Sequence, residues 1–174
     1  MMGSAFAPLI VEQSIDYFNK NQTLLWELLV NHVIVVLDSV WLALLMGVPL
    51  GILATYNDRL GSVLLWTAGM LMTIPSVALF GLLIPLVGIG EIPVVIALVL
   101  YAQLPIIRNT YLGLTQVDDA TIEAGRGMGM TKTQRLWRLQ LPQAIPVIMA
   151  SGSIALRILV GLAAIGAFIG STNL

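Results

Sequence analysis

Polar and apolar positions along this chain fall into long blocks rather than alternating. From Val33 to Tyr56 the residues are almost all apolar, interrupted by Asp38 and closed by Asn57, Asp58 and Arg59. About 20 such residues cross a hydrocarbon core ~30 Å thick, so the block predicts a membrane-spanning helix over 33–56. No charge occurs from Leu60 to Gly90, a stretch longer than one crossing requires, and Pro75, Pro85, Gly88 and Gly90 subdivide it. The pattern predicts a helix over 62–83, kinked at Pro75, then a turn through Glu91. A shorter span over 92–107 contains Pro93 and Pro105, and a fourth over 144–170 contains Arg157.

Only one long segment breaks this apolar regime, from Asp118 to Pro142. Asp118 and Asp119 supply a cap and favourable charge for a first helix through about Met128. Gly129 permits a turn that a Cβ resists. Thr131 followed by Gln134 fits a capping box for a second helix, whose last turns carry Arg135 and Arg138. Pro142 then marks the start of the next segment, and Pro146 fits its first turn.

Composition sharpens this picture. A chain of 174 residues that is 58% apolar and 10% charged, with mean hydropathy +0.95, is an integral membrane protein. A net charge of -1 does not suggest nucleic acid as a partner. Without cysteine, disulfides, thiolate metal sites and a cysteine nucleophile are excluded. His32 stands without ligands at metal spacing, so no metal site is expected. The segment Gly125 to Thr133 is glycine-rich like a phosphate loop, but Thr131 stands where Gly should precede Lys132, and no strand leads into it. No constellation for ATP hydrolysis or other covalent chemistry is present.

Five of the eight basic residues, Arg108, Arg126, Lys132, Arg135 and Arg138, lie in or just before the polar segment. Counting cations places that loop in the cytoplasm, with Arg59 on the same side, the Gly88 to Glu91 turn outside and Lys20 as the exception. The N-terminal segment, residues 1–30, is then external. It has no basic stretch ahead of its apolar residues, which argues against a cleaved secretory signal. Leu9, Ile10, Ile15 and Phe18 suit the apolar side of an interfacial helix, with Trp26 as an aromatic anchor.

Two intramembrane polar residues are candidates for the transport pathway. Asp38 lies near the outer end of its span, where water reaches it, yet carboxylates in membranes are costly and often functional. Arg157 lies mid-span and needs a partner, a water-filled lining or an escape to the interface. Asp38 is one candidate partner. Gly47 and Gly51, and again Gly166 and Gly170, form GxxxG pairs suited to close helix approach, with Pro49 a source of a kink in the first.

The polar segment resembles a known pattern. Glu123-Ala124-Gly125, three residues, Gly129, nine residues, then Leu139-Gln140-Leu141-Pro142 is similar to the EAA loop of ABC-importer permeases. Gly125 stands for the second Ala and Leu139 for Ile. Ile74 to Gly81, Ile84-Pro85, Gly88 to Gly90, Leu104 to Thr110 and Gly127 to Thr131 extend the likeness to the osmoprotectant branch, from about Leu42 to Gly170. The resemblance implies an all-α, polytopic transmembrane bundle of the type I ABC-importer permease kind, in one domain over 1–174, within a bacterial or archaeal cell membrane. It implies import of glycine betaine, choline or carnitine by alternating access.

Under that resemblance, Glu123, Ala124, Gly125, Arg126, Gly127, Met128, Gly129, Leu139, Leu141 and Pro142 form a cytoplasmic coupling element that docks on an ATPase subunit. This chain would bind no cofactor, and ATP and Mg would sit on the partner ATPase. A second permease, the same or a similar chain, and an external substrate-binding protein complete the assembly in the lipid bilayer. Family members continue past residues 167–170 into a helix returning to the cytoplasm, so the expectation is a partly represented subunit rather than a four-span core. An amino acid importer and an ion-driven carrier are the competing readings. Trp41, Trp66 and Tyr101 suit packing or interface roles better than an aromatic cage for a quaternary amine.

Overall fold

The computed structural model describes residues 3–167, with side-chain surroundings from Val11 onward. Among the described residues the chain is helical and contains no strand. Helix α1 spans Gly3–Lys20 and α2 spans Gln22–Ala54. After α3, Asp58–Thr73, and α4, Ser76–Val87, comes α5, Glu91–Thr115. The polar segment holds α6, Asp119–Gly127, and α7, Lys132–Arg135. A π turn over Leu136–Gln140 joins α7 to α8, Leu141–Gly166.

The central element is α5, which packs on α2, α3, α4 and α8. More than half of its apolar stretch is buried, against a third of α2 and less than a quarter of the last long helix. Val94, Ala97, Leu98, Ala102 and Ile106 of α5 meet Val36 and Ala43 of α2, Phe80 of α4, and Ala155, Leu159 and Ala163 of α8. In lipid, apolar side chains gain nothing from leaving water, so helices associate through close packing at small residues.

The α2–α5 interface follows that rule. A Cβ on Gly47 would come within 2.7 Å of Ile106, and one on Gly51 within 2.5 Å of Thr110 Cβ and 3.0 Å of the Ile107 carbonyl. The expected close approach at this glycine pair is therefore made by α5. Helix α2 runs unbroken through Pro49. Gly166 likewise has Val94 against it, where an added Cβ would meet a methyl carbon at 2.8 Å. Its expected partner Gly170 lies outside the described residues, as do Phe168 and Ile169.

The charge-free stretch departs most from the expected span over 62–83. Instead of one helix kinked at Pro75, α3 and α4 meet at a bend of 98°. The residue before a proline is pushed to extended backbone, and Ile74 adopts ψ 126. The bend frees the Ile74 carbonyl, which accepts a hydrogen bond from the Tyr101 hydroxyl of α5. Helix α4 passes through Pro85 and stops at Gly88, where φ is 85, and Gly90 follows at φ 130. Both values favour glycine.

Other boundaries shift as well. The span expected over 92–107 extends to Thr115, carrying Arg108 inside α5 rather than in a loop. The first span begins at Gln22, and only Asn21 separates it from α1. In α1, Ile15 and Phe18 are exposed, and Trp26 in α2 stands 66% exposed. The side chains of Leu9 and Ile10 lie outside the described residues.

The last span is revised too. Pro142 does not begin a separate helix, since α7, the π turn and α8 run continuously from Lys132 to Gly166. Proline lacks an N–H, and its ring clashes with the carbonyl four residues earlier. The π turn, closed by the Leu141 N–H to the Leu136 carbonyl, lies directly ahead of it and absorbs the mismatch.

Replacing Gly51 with Ala should cost about 1–3 kcal/mol, because rigid Cβ and backbone atoms oppose the added methyl. Gly69→Ala, with nothing within 4 Å of the new Cβ, serves as the control. Thermal melting of the purified protein in detergent should show a lower midpoint for the first variant only.

Candidate functional site

Local chemistry fixes the polar segment one end at a time. The Asp118 carboxylate accepts the Ala120 N–H at 3.2 Å, capping α6 as expected. At the other end Gly129, at φ 75, lets the chain reverse. Its N–H donates to Arg126 O at 2.9 Å and that of Met130 to Gly125 O at 3.0 Å. These two bonds make a Schellman motif, which satisfies carbonyls the helix leaves open. Thr131 and Gln134 then exchange both bonds of a capping box, at 2.9 and 3.2 Å.

One further bond braces this element internally and another fastens it to the bundle. Arg135 Nη1 donates to Met130 O at 2.6 Å, bracing the turn from α7. Gln140 Nε2 donates to Leu114 O at 3.1 Å, at the last turn of α5. Beneath them Leu136 is buried with Leu114 and Ala144, and Ile52, Leu141 and Ile148 pack around them.

The residues of the spaced motif divide by face. Glu123, Ala124, Arg126, Gly127, Met128 and Gly129 are exposed, whereas Gly125 is buried. Leu139 and Leu141 are half-buried and Pro142 is exposed. Gly125 faces Leu139 and Arg135, so an added Cβ would sit 2.7 Å from Leu139 Cδ1 and 3.1 Å from Arg135 Cδ. The departure from Ala at this position thus places the backbone of α6 directly on the π turn. With no nucleophile or acid–base pair assembled, the element offers a surface, not a reaction. Met128 is 70% exposed and Trp137 58%, the kind of apolar anchors that interfaces favour. Trp137 went unnoticed in the sequence, although it is the one aromatic residue within 118–142.

Asp38 and Arg157 are not brought together. Among the described residues no ion pair joins them, both are exposed on the bundle's outer surface, and Arg157 Nε donates to Ser153 O one turn back at 3.2 Å. Trp41 and Trp66 are exposed on α2 and α3 while Tyr101 is buried in α5, so these three do not converge.

The binding-protein-dependent transport system inner membrane component family matches residues 47–174. The chain belongs to that family. As a family member with long apolar helices it is a multi-pass membrane protein. The osmoprotectant import permease protein OsmW of Salmonella typhimurium is 43% identical over 166 residues, covering 92% of this chain and 77% of that protein. The carnitine transport permease protein OpuCD of Listeria monocytogenes is 38% identical over 164 residues, covering 94% and 74%. The choline transport system permease protein OpuBD of Bacillus subtilis is 38% identical over 165 residues, covering 95% and 73%. In solved structures, the fold matches the MetNI methionine ABC transporter in an inward-facing crystal form, with TM-score 0.76 and 23% identity over 88% of this chain and 78% of that one. A type I importer permease fold is thereby established for this family member.

Gly125→Leu should loosen α6 from the π turn at a cost of about 1–3 kcal/mol, and Gly125→Ala should cost less because the Leu139 side-chain tip can move. Gly127→Ala, with open space at its Cβ, should change little. Hydrogen exchange of the α6 amides distinguishes the three.

Proposed function

We propose that this chain is the permease subunit of an ATP-driven importer of osmoprotectants such as glycine betaine, choline or carnitine. The observation that carries the proposal is the capped helix and turn at Asp118 to Gln134, exposed at Glu123 and Ala124 and continuous through the π turn with α8. Such an element can receive a push and pass it to a spanning helix without hinging. The relatives named for carnitine, choline and osmoprotectant import support the substrate class.

In this reading Glu123, Ala124, Gly129 and the exposed Met128 and Trp137 contact an ATPase subunit that holds ATP and Mg. The loop faces the cytoplasm, in accord with its four cations Arg126, Lys132, Arg135 and Arg138. A second permease subunit covers part of the exposed apolar surface, and an external binding protein delivers substrate. Glu123 acts as a mechanical contact, not as an acid or base. Arg157, mid-span and without an acidic partner among the described residues, lines the pathway or the contact between permeases. An ion-driven carrier is disfavoured by the separation of Asp38 from Arg157.

Proteoliposomes with the assembled complex, ATP inside and binding protein outside should take up radiolabelled glycine betaine, choline or carnitine. Glu123→Lys and Gly129→Trp should abolish that uptake while the subunits still insert; uptake indifferent to ATP and to both changes would overturn the proposal. Arg157→Met should lower uptake with assembly intact, and a normal rate in that variant would remove Arg157 from the pathway.

A further inference from the structure

Where α6 and α7 meet the ends of α2 and α5, the fold forms a half-open cavity of about 240 Å³. Arg126, Lys132 and Arg135 line it together with Thr55, Tyr56 and Thr115, and no carboxylate is among its lining residues. Arg126 and Lys132 have no acidic partner among the described residues. Arg135 spends one nitrogen on Met130 O and keeps its other N–H groups.

The surroundings compensate only part of this charge. Helix α2 ends at Ala54 and α5 at Thr115, and each C-terminus carries roughly half a negative charge. Three cations therefore exceed the two helix ends by about two positive charges. The Thr55 and Thr115 hydroxyls donate back to Ile52 O and Tyr111 O, so the donors available to a ligand come from the three cations, Tyr56 and the second amide N–H of Gln140, whose first goes to Leu114 O. Guanidinium and ammonium groups converging at a cavity suit a phosphate, which accepts several charge-assisted hydrogen bonds at once. Because α2 and α5 are apolar enough to cross a membrane and longer than its ~30 Å core requires, their ends at Ala54 and Thr115 emerge at or beyond the boundary between hydrocarbon and headgroups. A basic pocket at that depth is suited to an anionic lipid.

We infer that this cavity is an anion site that holds a phosphate group at the membrane surface, beneath the coupling element. The phosphate is that of a lipid headgroup or a free one. Occupancy would neutralise the cations between α6 and the ends of α2 and α5, tying the loop to the bilayer boundary. The inference stands independently of the transported substrate and of which face of the membrane the loop occupies.

The assembled complex, in bilayers with anionic lipid in both leaflets, would be probed with spin-labelled phosphatidylglycerol and phosphatidylcholine by electron paramagnetic resonance. The immobilised fraction should favour phosphatidylglycerol, and Arg126→Gln with Lys132→Gln should reduce that preference by about tenfold. Arg126→Lys with Lys132→Arg should retain it, and Arg138→Gln, outside the cavity lining, should leave it unchanged. In parallel, radiolabelled inorganic phosphate would be equilibrated with the detergent-solubilised complex. Phosphate binding sensitive to the double Gln variant, without phosphatidylglycerol preference, would assign the site to free phosphate. Binding of neither probe, the result expected if carboxylates of an adjoining subunit fill the cavity, would overturn the inference, as would equal loss in Arg138→Gln.

Discussion

Close backbone approach at α5 is the constraint on which the rest of this fold depends. A bilayer removes the hydrophobic incentive for helices to associate, leaving shape and dispersion to do it. Gly47 and Gly51 on α2 and Gly166 on α8 let their helices reach the surface of α5. The small residues Ser151, Ala155 and Ala163 repeat the device along α8. Large apolar side chains such as Trp41, Leu45 and Trp66 point away from the bundle, an arrangement that would be a liability in water and is suited to lipid or to another subunit.

That central packing also decides how the polar segment is held. The end of α5 receives Gln140 at Leu114 and covers Leu136, so the base of the loop is anchored on the most buried helix. Its outer rim is held only by local bonds, the Schellman turn, the capping box and Arg135 on Met130. A stiff, self-contained rim on a buried base lets a force applied at the rim reach the core with little loss in the loop itself.

Features that depend on local chemistry were legible in the sequence. Asp118, Gly129 and the Thr131–Gln134 pair each act through neighbours within five residues, and each sits as the residue pattern indicates. The motif spacing from Glu123 to Pro142 was equally readable, because it is a linear property of the chain. What could not be read depends on tertiary partners. A proline marks a disturbance but not its size: Pro75 accompanies a 98° bend stabilised by Tyr101, whereas Pro49, Pro85 and Pro105 pass within continuous helices. The pairing imagined for Asp38 and Arg157 failed because hydropathy reveals depth without revealing which side of a helix a residue occupies. The basic cavity was hidden for a similar reason, since Thr55 and Lys132 are distant in sequence and meet only once α2 and α7 are placed.

The π turn sets a relationship between two faces of a single rod. A residue added to one turn rotates everything beyond it by about 100° relative to an uninterrupted α-helix. The side of the rod that faces the exposed loop and the side that packs on α5 can consequently be oriented independently, although one continuous backbone carries both. Evolution could thus retune the angle at which force enters without disturbing the packing that receives it, simply by keeping or losing that widened turn.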